Sequence, residues 1–63
     1  MQKDLREVRE KYIKMTQENL AHHLGTTTAT YAKKEKYLRP LKAKELIEIA
    51  RMASLDPREI RIF

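Results

Sequence analysis

The apolar residues of this chain recur every three or four positions, the spacing that places them on one face of an α-helix. The clearest series is Leu46, Ile49, Ala50 and Ala53, at i, i+3, i+4 and i+7. Residues 60–63 alternate apolar and polar instead, which is typical of an extended segment or of an apolar tail that packs on a partner. The predicted helices cover residues 3–13, 17–24, 28–37 and 41–53, and a short fifth helix begins at Asp56-Pro57.

Capping residues and helix breakers set the ends of these helices. Thr16 and Thr27 each precede a helical segment and can offer a hydroxyl oxygen to its free N–H groups. Gly25, the only glycine, can end a helix at positive φ and turn the chain sharply. Pro40 disfavours a helical residue before it and can open the next helix. The pattern therefore predicts an all-α fold, a compact bundle of four or five helices in a single domain over residues 1–63.

The second and third predicted helices are separated by little more than Gly25. Leu20, Ala21 and Leu24 share one face of the second helix, and Tyr31 of the third helix can meet them there. Ala21 is small where the two helices must cross closely. This is the layout of a helix-turn-helix, in which the second helix of the pair enters a DNA major groove.

The residues around this turn resemble a known family. Residues 16–25, Thr-Gln-Glu-Asn-Leu-Ala-His-His-Leu-Gly, resemble the core motif of the Cro/phage-repressor (Xre-like) DNA-binding domains. Other positions that match the family pattern are Leu5, Arg9, Met15 and Glu35, together with the fourth-helix segment 46–56. The resemblance covers most of the chain and implies a lambda-repressor-like helical bundle.

The resemblance also implies a function. It implies sequence-specific binding of double-stranded DNA by a prokaryotic or phage transcriptional regulator, such as a repressor, with residues 28–37 as the recognition helix. Threonine and alanine there would offer short hydrogen-bonding or methyl contacts to base edges, and lysine would reach guanine. In the family, the glutamine at position 17 lies at the DNA backbone and often braces the recognition helix. The residues expected to bind DNA are Gln17, Thr27, Thr28, Ala29, Lys33, Lys36 and Arg39.

The distribution of charge agrees with this expectation. Six bases and one acid give residues 33–44 a charge of +5, which equals the formal net charge of the whole chain. This segment includes the end of the predicted recognition helix and the residues after it, where a helix-turn-helix domain meets phosphates. The alternative interpretation is a solvated basic helix end and loop without a nucleic-acid partner.

Three residues depart from the family pattern. Lys34 stands where the family usually has an apolar residue under the recognition helix, and Tyr37 where it usually has a glycine that turns the chain. Lys14 replaces a common glycine before Thr16. Either the third helix runs longer here, with Tyr37 and Leu38 taking over the packing, or its end is loose.

Several other function classes find no support in the sequence. Without cysteine there is neither a disulfide framework nor a thiolate metal site. His22 and His23 are adjacent, so on a helix they point about 100° apart and cannot share one tetrahedral metal site. No nucleophile with an oriented base and no glycine-rich phosphate loop can be identified, so we expect no enzyme and no cofactor. Nothing reads as a signal peptide or a membrane span, which favours a cytoplasmic protein.

The expected partners are DNA and a second copy of the chain. One recognition helix contacts only a few base pairs, so a homodimer on a two-fold related operator is expected. Ile60, Ile62 and Phe63 form an apolar end that is either the dimer seam or folds back onto the chain's own core. Two alternatives stay open: an antitoxin-type regulator that also masks a toxin, and a protein-interaction module that kept the fold without DNA binding.

Overall fold

The computed structural model of this chain describes residues 2–62, and its regular secondary structure is helical, as the periodicity predicts. The first helix, α1 (Leu5–Glu7), runs directly into a π-helical segment (Val8–Ile13), called the π segment below. The other helices are α2 (Gln17–His23), α3 (Thr28–Glu35) and α4 (Ala43–Ala53), followed by a 3₁₀ turn (Pro57–Glu59). Among the described residues no strand forms, and a single isolated parallel bridge pairs Lys3 with Ile60.

The observed helices correct several predicted boundaries. The first helix begins at Leu5 and widens to π geometry, because the Lys14 N–H reaches back five residues to the Arg9 carbonyl at 2.7 Å. Lys14 then ends the helix in the left-handed region, at φ 60°. The fourth helix begins at Ala43 rather than near residue 41, and the predicted fifth helix is only the 3₁₀ turn, capped by Asp56.

A small apolar core joins all of these elements. Tyr31 lies at its centre with no exposed surface, and the other buried apolar residues come from every helix and from the end of the chain. They are Leu5, Val8, Leu20, Ala21, Ile49, Ala50, Ala53 and Ile60. The Cα radius of gyration is 10.2 Å, close to the ~10.6 Å expected for a compact domain of this length, so the predicted compact bundle is confirmed.

The turn between α2 and α3 has the predicted form. The Thr16 hydroxyl accepts the N–H of Asn19 at 3.1 Å, and the Thr27 hydroxyl accepts the N–H of Thr30 at 3.2 Å. Gly25 has φ 74°, so the left-handed residue that ends α2 is the one that glycine tolerates best. Capping at both helix starts and the glycine turn between them fix α2 and α3 as a closely packed pair.

The end of α3 differs from both alternatives raised by Tyr37. The helix does not run longer, because it ends at Glu35, and Leu38 does not pack, because it is 71% exposed. Tyr37 instead adopts the left-handed conformation at φ 59°, the geometry for which a glycine is usual. Its hydroxyl accepts the Leu5 N–H at 3.2 Å and donates to the Arg61 carbonyl at 3.0 Å. The end of α3 is therefore tied to both ends of the chain rather than loose.

The apolar C-terminal end is divided between two environments. Ile60 is buried in the chain's own core, so the expectation that it lies at a dimer seam is wrong. Hydrogen bonds from Lys3 N to Glu59 O at 2.7 Å and from Arg61 N to Lys3 O at 2.8 Å hold the segment in place. Ile62 is 38% exposed, and Phe63 lies outside the described residues.

Within residues 2–62, no helix has the length and apolar character needed to cross a membrane.

Candidate nucleic-acid interface

Helix α3 has one face turned outward and one turned into the fold. At about 100° per residue, the side chains of Thr28, Ala29, Lys33 and Lys36 share one half of its circumference. All four are exposed, whereas Tyr31 and Lys34, on the other half, are buried. We call the exposed set, Thr28, Ala29, Lys33 and Lys36, the outer face of α3.

The chemistry of the outer face changes along the helix. Its first turn carries only the short side chains of Thr28 and Ala29, beside the capping Thr27. Its C-terminal end carries the long cationic side chains of Lys33, within α3, and Lys36, the residue that follows α3. A hydroxyl and a methyl group can approach base edges closely, and the lysines can reach either a guanine or a phosphate.

Exposed cations continue beyond the end of α3. Lys33, Lys36, Arg39, Lys42 and Lys44 are all exposed. None of them takes part in an ion pair with another described residue. Their charges are therefore not offset within the described part of the chain and remain available to an anionic partner.

The sixth base of this segment behaves differently. Lys34 is 5% exposed, and its Nζ lies 2.7 Å and 2.6 Å from the two carboxylate oxygens of Glu45 on α4. Glu45 also accepts the backbone N–H of Lys42 at 3.0 Å, which caps the start of α4. Burial alone would raise the pKa of Glu45, but the hydrogen bonds from Lys34 and Lys42 outweigh it and hold that pKa below its usual value. Counting Lys34 among the surface bases is thus wrong.

A second ion pair holds α3 from its other side. The Arg9 guanidinium of the π segment binds the Glu35 carboxylate, and its Nη1 also donates to the Met15 carbonyl at 2.9 Å. Gln17 of α2 donates its amide to the same carboxylate at 3.0 Å. Burial acts to raise the pKa of Glu35, but these hydrogen bonds lower it by more, so the pKa lies below its ordinary value. We call Arg9, Gln17 and Glu35 the Glu35 network.

The two ion pairs neutralise the only acids in residues 19–47, the part of the sequence that contains α3. Between residues 19 and 47 the chain has only two acids, Glu35 and Glu45. Each is neutralised by a buried base, Arg9 or Lys34. The exposed charge of this part of the chain is consequently entirely positive.

The structure groups most of the predicted site residues. Thr28, Ala29, Lys33 and Lys36 lie together on the outer face, and Thr27 caps the start of the same helix. Arg39 is exposed in the loop that follows α3. Gln17 belongs to the Glu35 network, and its hydrogen bond to Glu35 is the bracing contact expected of it.

A cleft of about 610 Å³ lies beside α3, on the flank away from the outer face. It is bounded by the turn around Gly25, by Thr30 and Lys34 of α3, and by the loop that carries Arg39. His23 on its wall lies 3.5 Å from Glu48 of α4, and His22 is exposed on α2. Among residues 2–62 no group of acidic, histidine or cysteine side chains has the arrangement of a metal site.

The buried ion pair beside α3 left no signal in the sequence. Lys34 and Glu45 are separated by 11 residues and a loop, so neither helical spacing nor charge pattern points from one to the other. The only available clue is Glu45 at the third position of α4, where an acid commonly completes a helix cap. Arg9 and Glu35 match the family pattern, but no pairing rule in the sequence joins them.

No protein-family model, curated protein or solved structure matches this chain.

Proposed function

We propose that this chain is the DNA-binding domain of a transcriptional regulator, acting in the cytoplasm on double-stranded DNA. In this proposal α3 lies in the major groove, as the resemblance to the Cro/phage-repressor domains implies. The observation that carries the proposal is the outer face of α3 itself. It presents short side chains followed by lysines, in a region whose exposed charges are all positive.

The exposed residues divide into two roles under this proposal. Thr28, Ala29 and Lys33 read base edges, since they occupy the central outer part of α3. The other cations bind phosphates on the flanking backbone and position the helix without reading sequence. These phosphate-binding residues are Lys36, Arg39, Lys42 and Lys44.

Specific regulation further requires two copies of the domain. A single α3 reads only a few base pairs, and none of its base-reading side chains offers the bidentate hydrogen bonds of Arg, Asn or Gln. Two chains related by a two-fold axis would read two half-sites about 34 Å apart. Because Ile60 is buried within its own chain, we propose that the copies pair on the operator through surface residues.

The most direct test is the salt dependence of binding to a generic DNA duplex, measured by fluorescence anisotropy. Each neutralised phosphate contributes about −0.9 to the slope of log K against log salt, so we expect about −3 to −5 per chain. Lys36→Ala should make the slope less steep by about 0.9. Lys11→Ala is the matched control, because Lys11 is exposed but faces Glu7 on the first helix. A slope near zero, or equal effects of the two variants, would refute DNA binding through α3.

An interaction module without DNA binding is the competing candidate. Its support is the strong exposure of two apolar side chains, Leu38 at 71% and Ile47 at 61%, which a protein partner could cover. Such a module should elute from heparin at low salt. A DNA-binding domain should be retained until higher salt screens the contacts between its exposed cations and the anionic groups of heparin.

A further inference from the structure

We propose that the buried Lys34–Glu45 pair is a positioning contact that fixes the rotation of α3 about its own axis. On this proposal it sets how accurately the outer face reads DNA sequence. The inference rests on the proposed function and adds a specificity determinant that lies outside the DNA-contacting surface. Lys34 touches no DNA in this arrangement, because it is buried between α3 and α4.

Lys34 lies on the opposite side of α3 from the base-reading residues. At about 100° per residue, Lys34 lies roughly 120° around the helix from Thr28 and 140° from Ala29. A contact at that angle lies behind the base-reading residues and controls the direction in which they point. Side-chain ends lie about 5 Å from the helix axis, so a rotation of about 20° would move them by nearly 2 Å. Hydrogen bonds to base edges, which span only about 2.7–3.2 Å, would not survive that shift.

The contact of Lys34 with Glu45 differs in kind from the burial of Tyr31. Tyr31, the main apolar anchor of α3, is fully buried, and its hydroxyl makes no hydrogen bond of ordinary geometry to a described residue. The hydrophobic effect is non-directional, so the burial of Tyr31 does not by itself select one rotation of the helix. Lys34 instead holds both oxygens of Glu45 at 2.7 Å and 2.6 Å, which fixes the position of its Nζ relative to that carboxylate.

The Glu45 carboxylate that accepts from Lys34 is itself held in place. Glu45 is itself held by the backbone N–H of Lys42, at the first turn of α4. Lys34 is therefore tied to the backbone of α4 through a single carboxylate, not to a mobile side chain. The Glu35 network holds α3 on the other side of Tyr31, so the helix is fixed from two directions.

Specificity rather than stability is the expected consequence of such a pair. Replacing a buried ion pair by uncharged groups of similar volume is often neutral for folding, whereas buried polar contacts can select one arrangement among several. Removing Lys34 alone would leave a buried carboxylate unpaired and could unfold the domain. The informative variant is therefore the double substitution Lys34→Met with Glu45→Gln, in which the Gln oxygen can still accept the Lys42 N–H.

The test compares affinity for two DNA duplexes about 20 base pairs long, two turns of B-DNA. One is the sequence enriched from a random library by the unaltered chain, and the other is its scrambled version. For the double variant we expect the ratio of the two affinities to fall about tenfold, the value of roughly one base contact. The salt slope should not change, because the buried pair carries no net charge. Lys36→Met is the matched control, and it should weaken binding to both duplexes equally and reduce the slope.

A second readout needs no DNA. Backbone amide chemical shifts of residues 28–33 should change in the double variant and stay unchanged in Lys36→Met. An unchanged affinity ratio would overturn the proposal. So would a double variant that fails to fold, because the pair would then be required for stability. If the unaltered chain binds neither duplex, the proposed function fails, while the amide shifts still show whether the pair orients α3.

Discussion

The two faces of α3 differ in whether their polar and charged side chains have partners within the described residues. The outer face carries exposed short side chains and lysines that make no ion pairs within the described residues. The inner face carries Tyr31 and two buried charged groups, each bound to a partner from another element. The outer face leaves its interactions open to a ligand, whereas the inner face completes them within the chain. Substitutions on the two faces should therefore have different effects.

The largest expected difference between the faces is in stability. Tyr31→Ala should lower the free energy of unfolding by about 3–5 kcal/mol, because it removes the side chain at the centre of the core. Thr28→Ala on the outer face should change it by no more than about 0.5 kcal/mol. Urea denaturation followed by circular dichroism measures both. Comparable losses from the two variants would mean that Thr28 is not on a free surface.

Acid should act next, on the carboxylates bound at the inner face and also on the exposed Glu48 and Asp56, whose pKa values are lowered by hydrogen bonds from Arg51 and Arg58. The folded-state pKa values of Glu35 and Glu45 are lowered, so both groups bind protons more readily in the unfolded chain. Their stabilisation is fully present above the unfolded pKa of about 4.3 and is lost as pH falls through the folded values. Thermal melts between pH 7 and pH 3 should show the melting temperature falling in the acid range. The double variant Lys34→Met with Glu45→Gln should show a shallower fall, and an equal fall would exclude Glu45 as a contributor.

Outer-face substitutions should change DNA recognition without changing the fold. Thr28→Ala or Lys33→Ala should alter preference at particular base pairs by about 1–3 kcal/mol if each contact is direct. Arg39→Ala should weaken binding to all sequences about equally, since phosphate contacts carry no sequence information. Binding to a panel of duplexes with single base changes separates these outcomes. A base preference that survives the Thr28 and Lys33 substitutions would show that another element reads the DNA.

The smallest change in the free energy of unfolding should come from Tyr31→Phe, which tests the role of the buried hydroxyl on the inner face. Among the described residues the hydroxyl makes no hydrogen bond of ordinary geometry, although it lies near the Glu35 carboxylate, so the free energy of unfolding should stay within about 0.5 kcal/mol or rise. Burial and the nearby Glu35 carboxylate raise the pKa of Tyr31, so the unaltered chain should lose stability as pH rises above about 10, the unfolded value. Tyr31→Phe should be less sensitive to alkali. A loss of more than about 1 kcal/mol at pH 7 would indicate a hydrogen bond to that hydroxyl.

The residues around the turn were predictable because their signals are local. A hydroxyl before each helix, a glycine between them and apolar residues at helical spacing each act over a few positions, and Thr16, Thr27 and Gly25 have the predicted roles. The burial of Tyr31 followed from the same spacing.

The region after α3 was not predictable in the same way, because distant contacts decide it. Tyr37 takes a left-handed conformation that its type disfavours, while its hydroxyl binds groups 32 and 24 residues away. Lys34 is buried only because Glu45 meets it from another helix. The π segment likewise turns Ile13, five residues after Val8, toward the core and leaves Tyr12 exposed, and a sequence with apolar character at both positions does not distinguish the two geometries.

The meeting of the chain ends has a consequence for synthesis on the ribosome. The Tyr37 hydroxyl bridges Leu5 and Arg61, and Ile60 fills part of the core beside the bridge to Lys3. These contacts join residues far apart in sequence, which slows folding relative to a helical protein built from neighbours alone. The helices around Gly25 can form early during translation, yet the core cannot close until residue 61 has left the exit tunnel. Until then the nascent chain would expose Leu5 and Tyr31 to chaperones. Folding should therefore be completed only after residue 61 has left the tunnel.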